Sequence, residues 1–70
     1  MFDYSKLKGR IIEKYDTLSA FAEALGIKVQ SVSAKLTGRI NLTKKDVITW
    51  SQLLDIKPKD IGIYFFALKV

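Results

Sequence analysis

The sequence predicts an all-α fold of five helices that contains one helix-turn-helix, and three observations carry the prediction. Apolar residues recur at spacings of three and four along almost the whole chain. Two short stripes, 18–25 and 29–37, are each closed by a glycine and stand only three residues apart. Seventy residues without a repeat, a low-complexity tract or a linker suit one domain over 1–70 with one modest core.

Tyr4, Leu7, Ile11, Ile12 and Tyr15 form the stripe of the first helix, with Asp3 placed to cap its first turn. Gly9 inside it costs about 1 kcal/mol relative to alanine, so it marks either a close backbone approach or plain tolerance. The second helix runs from Leu18 to Leu25. Its stripe is Leu18, Phe21, Ala22 and Leu25, Thr17 is its cap, and Gly26 is the left-handed residue that ends it. Val29, Val32 and Leu36 make the third, over about Val29 to Thr37, ended by Gly38. After a loop at 39–42, Thr43-Lys44-Lys45-Asp46 reads as a capping box that opens the fourth helix. The inner face of that helix is Val47, Ile48, Trp50, Ser51 and Leu54. Pro58 fits the first position of a short fifth helix to about Phe65. The tail from Ile63 also alternates as a strand would, with Ile63, Phe65 and Ala67 on one face, so a short C-terminal strand stays open.

Composition narrows the function. The chain has no cysteine and no histidine, so it offers no ordinary zinc ligand set and no imidazole base. The commonest hydrolytic and metal-assisted mechanisms have no residues to run on, and the expectation is a binder with no catalytic step, no metal and no cofactor. No apolar run approaches the roughly 20 residues of a membrane helix, and the first eight residues are too polar for a signal peptide. We therefore expect a protein of the bacterial cytoplasm with no membrane partner. Twelve Lys and Arg against seven Asp and Glu give a net charge of +5, a density that suits a polyanion.

Two short helices joined by a tight glycine turn hold the second at a steep angle with one side exposed, a shape that enters a major groove. The pattern needs a small residue where the helices cross, a glycine at the turn and branched apolar residues inside the second helix; Ala22, Gly26, Ile27 and Val32 supply them. The stretch Leu18 to Leu36, LSAFAEALGIKVQSVSAKL, resembles the lambdoid repressor and Cro (Xre-type) helix-turn-helix family. It is most similar to short Cro-like regulators of phages of Gram-positive bacteria. The opening FDYSKLKGRIIEKY and the later W-S-x-L-L-D-I also look like that phage group. The resemblance implies a lambda-repressor-like domain whose third helix reads operator DNA. It also shows departures. Leu18 stands where the family often has glutamine, Lys28 replaces the usual Ser or Thr cap, and Lys35 occupies a commonly apolar position, which implies a small rotation of the buried stripe.

Carried over by position, the family's base-reading sites fall on Val29, Gln30, Ser33 and Ala34. Gln30 can bond adenine N6 and N7 together, Val29 and Ala34 can pack on thymine methyls, and Ser33 suits several bases. Solvated helix face remains the other reading of Gln30 and Ser33, and core the other reading of Val29. Phosphate contacts are expected from flanking elements, at Thr17, Lys28, Thr37, Arg39, Asn41, Lys44 and Lys45, whereas Lys6, Lys8, Arg10 and Lys14 read as solvated charge. One reading helix spans few base pairs, so a homodimer is expected, with Tyr64, Phe65, Phe66 and Leu68 as its apolar patch. The function these readings imply is a Cro-like phage or prophage transcriptional regulator bound to double-stranded operator DNA. The alternative is a helix-turn-helix that binds a protein partner, as an antitoxin or anti-repressor would. A membrane-surface peptide needs one continuous basic face, and these bases are scattered over several elements.

Overall fold

The computed structural model describes residues 2–69. Five α-helices follow one another: α1 Ser5–Tyr15, α2 Leu18–Leu25, α3 Val29–Leu36, α4 Lys44–Leu53 and α5 Ile61–Phe65, the last entered through a 3-10 turn at Pro58–Asp60. The all-α expectation holds. The tail is helical through Phe65, and the strand reading survives only as an isolated antiparallel bridge between Phe2 and Leu68.

Local chemistry sets the helix starts. The Asp3 carboxylate accepts from the Ser5 amide and hydroxyl, so it caps α1 from one residue before the N-cap, which is Tyr4. Thr17 Oγ1 accepts from the Ala20 amide at 3.0 Å, and at α4 Thr43 and Asp46 bond each other's backbone amides as a complete capping box.

The ends of α2, α3 and α4 share one device. A residue in the left-handed region follows each helix, Gly26 at φ 74°, Gly38 at φ 83° and Asp55 at φ 53°. Its amide and the next one turn back onto the last helical turn: Gly26 to Glu23 and Ile27 to Ala22, Gly38 to Lys35 and Arg39 to Ala34, Asp55 to Gln52 and Ile56 to Ser51. These are paired Schellman bonds, which satisfy carbonyls that would otherwise be orphaned.

Leu7 and Ile11 of α1, Phe21 and Ala22 of α2, Val32 of α3, Trp50 of α4, and Leu54, Ile56 and Phe65 form the core. The Phe21 and Trp50 rings meet edge to face at 5.0 Å, and Tyr15 packs on Phe21 at 5.2 Å. Ile12 and Ile48, expected on inner faces, are exposed. Leu7 with Ile11, and Val47 with Trp50, Ser51 and Leu54, already fill those stripes, and one residue further round the helix turns outward. A Cβ built on Gly9 meets nothing within 4 Å, so that glycine serves no close approach.

Two polar clamps tie the helices together. Arg10 of α1 donates from Nε to the Leu54 carbonyl at 2.9 Å, Tyr15 Oη donates to the Leu53 carbonyl, and Lys14 pairs with Asp55 at 2.7 Å, so α1 holds the C-terminal end of α4. Lys35 of α3 reaches Asp46 Oδ2 at 2.6 Å, the same oxygen that accepts the Thr43 amide. Lys35 is thus a part-buried ion-pair partner, which accounts for a cation at a commonly apolar position.

Two outcomes follow. The Ser51 hydroxyl is buried without a hydrogen-bond partner among the described residues. Ser51→Ala should therefore stabilise the protein by about 1 kcal/mol, read as a higher urea midpoint with unchanged slope; a lower midpoint would contradict this. Burial opposes ionisation of Asp46, but the bonds from Lys35 and Thr43 outweigh it and hold the carboxyl below its ordinary value of 3.8. A lowered folded value means stability that is present above about pH 4 and lost as pH falls through it. Asp46→Asn should cost about 1 to 3 kcal/mol at pH 7, with the gap to wild type closing below pH 4. A gap independent of pH would show that the charge is not the cause.

Candidate nucleic-acid interface

The helix-turn-helix is α2, the turn at 26–28 and α3. Ala22 is buried where a larger side chain would hold the helices apart, and Val32 anchors the inner side of α3 in the core. The outer side carries Gln30, Ser33 and Thr37, all exposed and spaced i, i+3, i+7 along one face. Val29 is half-buried and packs against the core, which favours the core reading of that residue.

Ala34 is not on this face. Only 4% of it is exposed, so it cannot reach a thymine methyl. The chain after α3 folds back over it, with the Thr37 hydroxyl and the Arg39 and Ile40 amides all donating to its carbonyl. The readable face is therefore narrower than the sequence implies, with Gln30 and Ser33 at its centre.

Around it lie the expected phosphate-contacting residues. Thr17, Lys28, Thr37, Arg39, Asn41, Lys44 and Lys45 are all exposed. Among the described residues Lys28, Arg39, Lys44 and Lys45 enter no ion pair, whereas Lys35 is held by Asp46. Lys28 is the N-cap of α3 in extended conformation and makes no side-chain cap bond, so the first amides of the reading helix have no side-chain acceptor there. Free amides at a helix start beside cations can donate to an anion's oxygens.

The expected dimer patch divides. Phe65 is 1% exposed and belongs to the core, because a helix through that segment turns it inward; Tyr64 is half-buried against the same core. Phe66 and Leu68 are 52% and 70% exposed. Phe2 joins them, its ring 5.7 Å from that of Phe66, a contact that only the Phe2 to Leu68 bridge reveals. Lys8 is exposed, as expected of solvated charge, and lines a surface cavity shared with Ser33 and Thr37. Among the described residues no group of three or more His, Cys, Asp or Glu could hold a metal, and no helix is long and apolar enough to cross a membrane.

No curated protein matches the chain significantly. Among solved structures it is similar to the solution structure of the modulator of repression (MOR) of the temperate bacteriophage TP901-1 from Lactococcus lactis. The two are 38% identical with a TM-score of 0.82, over 99% of this chain and 93% of that one. The fold is thus that of a phage regulatory protein. The family described as protein of unknown function (DUF739) matches residues 1–68, and the chain belongs to it.

Proposed function

We propose that this protein is a phage-type transcriptional regulator that binds operator DNA as a homodimer, seating α3 in the major groove and acting by occupancy. The observation that carries the reading is the exposed pair Gln30 and Ser33 on a helix whose opposite side is locked into the core, with Lys28, Arg39, Lys44 and Lys45 nearby and outside ion pairs among the described residues. Gln30 reads adenine, the Ser33 oxygen accepts from a neighbouring base, and the cations fix register on the backbone. The resemblance of Leu18 to Leu36 to Cro-like regulators supports the same function, and the likeness to MOR supports a regulatory role in a phage. Phe66 and Leu68, with Phe2, supply the apolar surface for pairing, and the site of action is the cytoplasm of a bacterial host.

A second reading has its own support. The name of MOR describes modulation of repression, which suits action on a repressor protein. Ile27, Ile40 and Ile48 are exposed at the turn, the following loop and α4. Ile27 also shares a shallow cavity of about 270 Å³ with Lys45 and Thr49, an apolar surface that DNA contact does not require.

Selection of bound duplexes from a random pool, followed by salt titration of the best site, separates the two. The DNA reading expects an enriched palindrome and a steep salt slope. Gln30→Ala should cost about 1 to 3 kcal/mol and relax one or two base positions, whereas Lys44→Ala should weaken all sequences alike. No enrichment of any sequence would transfer the assignment to the protein-partner reading, and equal effects of both substitutions on every sequence would remove Gln30 as a base reader.

A further inference from the structure

A cavity lies between α1, α2 and α3. Its volume is about 260 Å³, and Ser5, Lys8, Leu18, Ser33, Thr37 and Lys69 are among its lining residues. We infer that it is a phosphodiester-binding site, with Lys8 as its cation and Ser33 as its hydroxyl donor; the inference rests on the DNA-binding reading of α3.

A count of donors narrows the ligand. The Ser5 hydroxyl is spent on Asp3 and the Thr37 hydroxyl on the Ala34 carbonyl, which leaves the ammonium groups of Lys8 and Lys69 and the hydroxyls of Ser33 and Tyr4. Asp3 is the acid in the lining; its Oδ1 receives both the Ser5 amide and hydroxyl, and Lys69 is close enough to lower its pKa by charge. Asp3 and Lys69 offset one another, so the cavity keeps the single positive charge of Lys8. A phosphodiester carries one negative charge and only acceptor oxygens, which matches.

Of the four bases of α1 only Lys8 lines the cavity, and it shares with Lys6 the lack of an ion-pair partner among the described residues. Arg10 pairs with Glu13 and bonds the Leu54 carbonyl, and Lys14 pairs with Asp55. The neighbours of Lys8 three and four positions away, Tyr4, Ser5, Ile11 and Ile12, include no carboxylate. The half-buried Leu18 and Leu36 give the cavity an apolar wall, suited to the C–H edge of a deoxyribose. Ser33 belongs to both the cavity and the exposed face of α3, so a strand beside the groove passes directly from one to the other. Leu18 opens α2, so its amide, unpaired within the helix, lies at the same edge.

The test uses the full chain labelled with ¹⁵N and titrated with inorganic phosphate and, separately, with a short DNA duplex of arbitrary sequence. Phosphate should shift the amides of Lys8, Leu18 and Ser33. Lys8→Gln should abolish those shifts with far-UV circular dichroism unchanged, while Lys6→Gln leaves them intact. With the duplex, Lys8→Gln should reduce the slope of log K against log salt by about 0.9, the value of one phosphate contact, and leave sequence preference untouched. Equal behaviour of the two variants, or phosphate shifts centred elsewhere, would overturn the site. Phosphate shifts at Lys8 with no duplex binding at all would leave a small-anion site, overturning the phosphodiester assignment and the DNA reading together. Duplex binding that ignores Lys8→Gln would overturn the site alone.

Discussion

The exposed face of α3 depends on the contact between Phe21 and Trp50. Phe21 comes from the first helix of the helix-turn-helix and Trp50 from α4, and the two rings meet edge to face at 5.0 Å inside the core. Such a pair contributes about 0.5 to 1.5 kcal/mol beyond the area it buries, and it has a preferred geometry that aliphatic contact lacks. It fixes α2 against α4. Ala22, one residue on, lets α3 approach α2 closely, and Val32 then seats α3 on the same core. Gln30 and Ser33 face outward because these inner positions leave α3 no other rotation.

The backbone at the helix ends adds a second constraint. Gly26 and Gly38 close α2 and α3 with the same pair of backward hydrogen bonds, so both helices of the helix-turn-helix end on satisfied carbonyls. Charge is divided between tasks in the same economical way. Arg10, Lys14 and Lys35 are used for structure, on the end of α4 and on Asp46. Lys8, Lys28, Arg39, Lys44 and Lys45 remain outside ion pairs among the described residues. These five lie in or next to the helix-turn-helix in sequence or in space, whereas Lys57 and Lys59, also unpaired among the described residues, lie beside Arg10 and Asp60, and the net charge of +5 does not convey that distribution.

Elements with chemical punctuation were legible in the sequence. Thr17 and Gly26 bound α2 as expected, and the Thr43 to Asp46 box opens α4 where it should. Misreadings arose where long-range structure decides. Ala34 lies at a reading position by family resemblance, but it is buried beneath the returning loop, and nothing local marks that cover. Phe65 sits in a segment whose alternation fits helix or strand; the helix sends it inward and leaves Phe66 outside. Lys35 looked like a rotated stripe until Asp46, eleven residues on, proved to be its partner. The Lys8 cavity combines the starts of α1 and α2, the second half of α3 and the C-terminal segment, so no window of sequence contains it.

The central claim is that α3 occupies a major groove. Methylation interference on the selected duplex tests it most directly, because the reagent marks guanine N7 in the major groove and adenine N3 in the minor groove. The account predicts loss of binding on N7 methylation in two patches about one helical turn apart, matching the half-sites of a symmetric dimer. Interference confined to N3, or none at either position, would contradict it.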